Sequence, residues 1–411
     1  MHRPPSILAS LALWSFPVWV LIAAGMLGGA NDATTSLTIS SLILLYGALI
    51  VLLAARGPTP ATLIISAFLV LMIGFARYQG WLTTGAPEYI SLLACGTLFY
   101  AGFCAAHESL RAEHLWRLTL YAGGVIITLG YYGLNPLAWL TQTEGVYSAS
   151  NLGCFYAIIA LMSVSEFART RTLLRRAPAR QWAGLVVRGA LPSLGICLVS
   201  LLALLNTGAQ LDVIALIVGL LVLGALELFG PHRFDLKSLA ITAMGAVMIG
   251  LGLYAFGADT IRHALSPIGD LSGQLNRLAA YWQAIQLEPV FGHGLGGFAH
   301  ANALSVTPEN HALLLGRETA GNLYLQWLLQ AGWVGTGAMG LIFSAGMGIL
   351  IFGLQGRYRN LHRVRGVLVI LLLVGLNGLV DDTLELPVFA WLIAWLFGLG
   401  IGMTILRRQA V

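Results

Sequence analysis

The sequence predicts an all-α, polytopic membrane protein of about twelve transmembrane helices, with one large, partly helical loop on one face. Three observations predict it. Of 411 residues, 58% are hydrophobic and 9% charged, whereas soluble domains carry about 25% charge. That much apolar surface needs lipid as its solvent. The apolar residues also fall into runs of span length. The basic residues between those runs alternate in density, as they do across a membrane.

The runs lie near residues 8–27, 37–55, 61–76, 90–106, 118–133, 151–168, 185–205, 209–229, 238–257, 323–353, 366–380 and 388–406. The first is about one span long and no Ala-x-Ala site follows it, so it is expected to stay as a span rather than be cleaved. The tenth is long for one crossing. It is expected to begin at the interface and then cross. Domain organisation follows: spans one to nine over 1–257, a loop over 258–321, and the last three spans over 322–411.

With the N-terminus inside, alternation places 18 of the 22 lysines and arginines on the cytoplasmic side. Only Arg77, Arg262, Arg277 and Arg317 face out. The acidic residues split the other way, with 12 of 17 outside. A wrong span count would scramble both patterns. Both termini are therefore expected in the cytoplasm. The net charge of +5 is a topology signal that draws membrane lipid headgroups, not nucleic acid. Cys95, Cys104, Cys154 and Cys197 all lie inside apolar runs and read as small packing residues, so neither metal nor disulfide is expected from them.

The loop over 258–321 is long, and such loops are often functional. It holds every outward histidine: His263, His293, His300 and His311. Residues 276–287 have helical spacing, with Leu275, Leu278, Trp282 and Ile285 on one stripe suited to a membrane surface. The run Gly292-His293-Gly294-Leu295-Gly296-Gly297 looks like a phosphate cradle, but no strand precedes it, and a tight turn is the better reading. Arg77, beside Tyr78 and Trp81, is read as an interfacial anchor. Asp212, Asp381, Asp382 and Glu385 are read as helix caps. Glu166 and Glu227 are expected to reach the interface, and glycines such as Gly245, Gly250, Gly252, Gly346 and Gly348 to permit close helix packing.

A pattern emerges across this stretch: Arg277, Trp282, Pro289-x-x-Gly292-x-Gly294-x-Gly296-x-Phe298, then Asn322-x-Tyr324-Leu325-Gln326 and Gly332-x-x-Gly335. It resembles the periplasmic loop and following helix of the O-antigen ligase and polymerase superfamily, which also holds bacterial protein O-oligosaccharyltransferases. Asp381-Asp382, Pro387, Trp391 and Gly398 are similar to that family's closing spans. The resemblance is specific over 277–335 and architectural elsewhere. It implies a bacterial inner-membrane enzyme that takes a glycan from undecaprenyl pyrophosphate and moves it to lipid A-core or a similar acceptor. It implies arginines at the pyrophosphate, a base at the acceptor hydroxyl, and neither cofactor nor metal.

The site residues implied are Arg277 and His311 as catalytic groups, with Arg277, Arg317, Gln210 and Asn322 at the substrate. His293 and His300 are weaker candidates for the base. Two positions depart from the family. Gly321 stands where its ligases carry histidine, and Gln210 where they carry arginine. Three readings stay open: a ligase, a polymerase of the same superfamily, and a silent member that binds a lipid-linked glycan or a membrane partner. A transporter is disfavoured, because the runs hold almost no ionisable residue at mid-depth and no inverted repeat.

Overall fold

A computed structural model describes residues 7–26, 33–54, 86–106, 108–131, 149–228, 271–354, 360–379 and 381–405. Arg77, His263, Gly245, Gly250, Gly252 and the expected spans near 61–76 and 238–257 lie outside them. Among the described residues the regular structure is entirely helical.

Five of the first six expected spans fall into helices α1 (Ile7–Met26), α2 (Ala33–Ala54), α3 (Ala86–Ala105), α4 (Ser109–Tyr131) and α5 (Ala149–Arg176). A short α6 (Ala179–Leu185) passes through a π-helical turn, Val186–Ala190, into α7 (Leu191–Asn206), and α8 (Gln210–Leu228) follows. The loop region supplies α9 (Leu271–Leu287), α10 (Phe298–Ser305) and the four-residue α11 (His311–Leu314). The chain then returns through α12 (Leu323–Gly353), α13 (Leu361–Asn377), a 3-10 turn at Thr383–Glu385, and α14 (Pro387–Ile405). Five stretches are long and apolar enough to cross a membrane: Pro87–Ala105, Asn151–Arg176, Ala179–Asn206, Leu323–Gly353 and Pro387–Ile405. The protein is therefore an all-helical membrane protein.

α14 is apolar on every side, and 83% of its span is buried, against 17% for α12. It is the central helix. Its tightest partner is α3, and the reason is small residues. A Cβ on Gly398 would run into the Phe99 carbonyl, and one on Gly102 would meet the Trp395 carbonyl at 2.6 Å. The two backbones touch, as small-residue interfaces in lipid allow. Gly346 likewise leaves room for the Phe397 ring, whereas Gly348 faces open space. Hydroxyls inside the spans bond backward along their own helices, Thr119 to the Leu115 carbonyl, Ser163 to Ile159 and Ser165 to Leu161. These hydroxyls are satisfied within their own helices and need no water there.

The largest surprise to sequence reading is at one end of the bundle. Glu166 does not reach an interface; it is fully buried. Its carboxylate accepts from Arg117 Nε at 2.8 Å, Arg169 Nη1 at 3.0 Å, and Arg363 Nε and Nη2 at 3.0 and 2.7 Å. Glu113 joins through Arg169 and Arg117. Helices α4, α5 and α13 are thus tied by two carboxylates and three guanidinia. Nearby, Glu227 of α8 pairs with Arg365 at 3.0 Å and with His362 Nδ1 at 2.9 Å. The three partners on α13 come from residues just before its apolar run. That explains why α5 and α13 extend past the expected span limits: their charged turns are buried against each other.

The loop helices form a small core of their own. Tyr281, Ala284 and Ile285 of α9 pack on Phe298 and Ala301 of α10, on Leu314, and on Leu325 and Leu329 of α12. The expected stripe is only partly right. Ile285 is buried, but Leu278 and Trp282 are each 44% exposed, on the side that a surface-lying helix would offer to lipid.

Glu166→Gln should cost about 3–5 kcal/mol, the usual penalty for removing one member of a buried ion pair. The check is the thermal unfolding midpoint of the detergent-solubilised chain; an unchanged midpoint would mean that water reaches the cluster.

Candidate functional site

α12 opens with a broken turn, and the break builds the site. Gly332 sits at φ 61° and ψ −168°, a conformation that side-chain-bearing residues rarely adopt. The break leaves the Leu329 and Gln330 carbonyls and the Trp333 and Val334 amides without helical partners. The Pro289–Gly294 segment supplies all four. His293 N donates to Leu329 O at 2.7 Å and Gly294 N to Gln330 O at 2.9 Å. Trp333 N donates to Pro289 O at 2.9 Å and Val334 N to Val290 O at 3.1 Å. A Cβ on Gly292 would lie 2.6 Å from Gly332 N, so backbone meets backbone here. The glycine-rich run is thus a turn that splices the loop into the helix, not a phosphate cradle.

Before the break, α12 starts at Asn322. Its side-chain oxygen accepts from Leu325 N at 3.0 Å, and its amide donates to the Leu379 carbonyl. Asn322 is therefore a cap and a tie to the α13–α14 turn. Both ends of its amide are occupied by protein, which is not the arrangement of a free substrate contact. The preceding Gly321 has φ +67°, and a Cβ there would meet Arg277 Nη1 at 2.6 Å. Gly321 N donates to Asp382 Oδ2 at 3.3 Å. Arg277 of α9 is thus brought against the start of α12 and the Asp382 turn. Burial, followed by the like charge of Arg317, holds its guanidinium below the ordinary arginine value; Tyr281 and Asp382 act the other way. Arg317 itself is exposed, its Nε 3.4 Å from the Leu313 carbonyl.

Beyond Asp382 lies Glu385. Gln326 and Gln330, one turn apart and both buried in α12, donate to its carboxylate, Gln330 at 3.4 Å. Gln326 also accepts from Ala320 N at 2.8 Å, which locks its amide orientation. Burial pushes Glu385 up to about 7, with Asp382 and Glu88 adding to the rise and the two glutamines opposing it. A carboxyl in that range exchanges protons at neutral pH. A second polar cluster lies on the far side of the same turn. Asn377 donates to Asp212, and the Thr383 hydroxyl donates to Asp381 and lies 3.2 Å from Asn151 Oδ1. These residues join the starts of α5 and α8 to the α13–α14 turn.

Among the expected site residues, Arg277 and Arg317 are brought together. His311 is not joined to them. It is exposed at the start of α11, and among the described residues no hydrogen bond or ion pair ties its ring to Arg277 or Glu385. His293 has a ring nitrogen 3.0 Å from the Ala284 carbonyl and packs edge-on to His300, a structural pairing. Gln210 begins α8, and its side chain lies outside the described residues. Sequence reasoning missed Glu385, Gln326 and Gln330. The signal was present: three carboxylates within Asp381-Asp382-Thr383-Leu384-Glu385, between two apolar runs, facing glutamines four apart on a helix. Compared with known proteins, the chain matches no family model and no curated protein.

The raised Glu385 value predicts a pH-dependent stability. A carboxyl whose folded value of about 7 lies above its ordinary 4.5 stabilises the fold at low pH, and that contribution is lost as pH rises through 7. The unfolding midpoint of the wild type should therefore fall, relative to Glu385→Gln, as pH rises from 4.5 to about 7, the window set by those two values. Parallel profiles for the two proteins would show Glu385 to be ionised throughout.

Proposed function

We propose that the chain is a glycosyltransferase of the O-antigen ligase type. In this reading about twelve spans cross a bacterial inner membrane, both termini are cytoplasmic, and residues 258–321 form a periplasmic loop. The charge asymmetry of the loops supports the sidedness. The observation that carries the activity is Arg277, half-buried beside Arg317 and Asp382, with a largely buried carboxyl of near-neutral pKa one turn away.

The chemistry follows from those groups. The donor is a glycan on undecaprenyl pyrophosphate. Arg277 and Arg317 face its pyrophosphate oxygens, where a planar fork binds two oxygens at once. The sugar C1–O bond to phosphate breaks, and the electron pair leaves on the pyrophosphate, whose growing charge the two guanidinia stabilise. The acceptor hydroxyl of a lipid A-core or similar glycan attacks C1. Its proton passes to the Glu385 carboxylate. Glu385 thus takes the part of the family histidine that Gly321 replaces, and His311 is a bystander. Asp382 holds Arg277 and the Gly321 backbone in register. A polymerase would share this site and differ in its acceptor alone; a knockout that accumulates unpolymerised rather than unligated lipid-linked glycan would favour it.

Arg277→Ala should abolish surface glycan attachment while the chain still inserts. Glu385→Gln should lower transfer by about 100-fold or more, the usual contribution of a general base, and His311→Ala should leave it unchanged. Transfer assays on inserted protein decide: loss with His311→Ala and none with Glu385→Gln would return the base to the histidine. Activity that appears only in Gly321→His with Gln210→Arg would make the natural chain a silent binder.

A further inference from the structure

The opposite end of the bundle holds a hollow that the transfer chemistry does not use. α5 begins at the Thr383 turn and its apolar span ends at Arg176, 26 residues on, or about 39 Å away. There α6 turns back toward the next candidate span. The concavity between α4, the end of α5, α6 and the π-helical turn has a volume of about 450 Å³. Arg117, Arg180, Arg188 and Gln181 line it, with Leu173 and Leu185 on its apolar flank.

The charge in it is unbalanced. Arg117 is neutralised by Glu113 and Glu166. Arg180 and Arg188 are exposed, and no carboxylate is among the lining residues. From Arg169 to Arg188 the chain carries six arginines and no acidic residue. One candidate span ends at Arg176 and the next begins at Ala179, so the hollow lies at a junction between two spans, where a chain that crosses twice meets the headgroups. Trp182 marks that level. It is 37% exposed, with its indole N–H on the Ala177 carbonyl at 3.1 Å, the usual amphipathic anchor at a membrane surface. Beside it Leu173, Val187 and Leu191 are exposed apolar residues on the same segment. A π-helical turn is a common device for widening a helix at a binding site. Here it lies against α5, with Gly189 packed on Thr170.

A polar hollow with two arginine forks and an apolar flank fits an amphiphile better than a free anion. We propose that this hollow binds the phosphate headgroup of an anionic membrane phospholipid, with Arg180 and Arg188 on the phosphate and the acyl chains along Leu173 and Val187. Basic pockets between helices at the membrane surface bind such headgroups through paired charge-assisted hydrogen bonds. The proposal does not depend on the transfer reaction at the other end.

Native mass spectrometry of the full chain tests it, with phosphatidylglycerol, phosphatidylcholine or inorganic phosphate added to the detergent-solubilised protein. One phosphatidylglycerol should be retained in preference to phosphatidylcholine. Arg180→Gln with Arg188→Gln should weaken that retention by about tenfold or more, the loss expected for one charged hydrogen-bonding group. Arg175→Gln with Arg176→Gln removes equal charge from residues that do not line the hollow and should leave retention intact. Equal losses in both double variants, equal retention of the two lipids, or full displacement by inorganic phosphate would each overturn the proposal. If the first double variant fails to insert, Arg188→Gln alone in the same assay gives the same decision.

Discussion

Four backbone hydrogen bonds across the break at Gly332 hold the loop to the bundle, and the site depends on them. A helix interrupted near the membrane exposes carbonyls and amides that lipid cannot satisfy, at a cost of several kcal/mol each. The Pro289–Gly294 segment satisfies them only by coming into backbone contact, which glycine at 292 and 332 permits. That contact sets the position of α9, and α9 carries Arg277. The small core around Tyr281 and Leu329 then keeps the α9–α12 angle from drifting. Arg277 therefore meets the Asp382 turn because two peptide backbones meet some residues away.

The two ends of the bundle use charge differently. At one end carboxylates and guanidinia neutralise one another around Glu166, which is itself fully buried and bonded on both carboxylate oxygens, and only Arg180 and Arg188 beside that cluster are left without a carboxylate among the hollow's lining residues. Such a cluster holds three helices in register and has no spare valence for a ligand. At the other end the charges are imperfectly matched. Arg277 feels the like charge of Arg317, and Glu385 feels the like charges of Asp382 and Glu88. Imbalance of this kind is where a charged substrate or a transferable proton finds a place. The central α14 links the two ends, buried along its length and pinned by Trp395 Nε1 on Thr119 at 3.3 Å.

Much of the scaffold was legible in the residues. Runs of span length located α1, α2, α3, α4, α5, α7, α8, α12, α13 and α14, since apolar length is a one-dimensional property. The long tenth run forms one helix, Leu323–Gly353, whose backbone breaks at Gly332. Arg277 and Arg317 were legible as candidates because the alternation of charge along the chain leaves few arginines in the long loop. The burial of Glu166 was not legible: its three partners come from α4, α5 and α13, the farthest 197 residues away. Nor was the status of Asn322 as a cap, which needs Leu379, or of Glu385, whose raised pKa comes from burial and from neighbours at Asp382, Gln330, Gln326 and Glu88.

The sequence by itself determined that this is a helical membrane protein, where ten of its described helices run, and how its charge is sorted along the chain. Those follow from composition and from the spacing of residues near one another. Only the tertiary structure decided that Asp382 stands by Arg277, that Asn322 caps a helix against Leu379, and that the glycine run is a splice. Each of those depends on residues tens to hundreds of positions apart being brought within hydrogen-bond distance, and no local pattern carries that information.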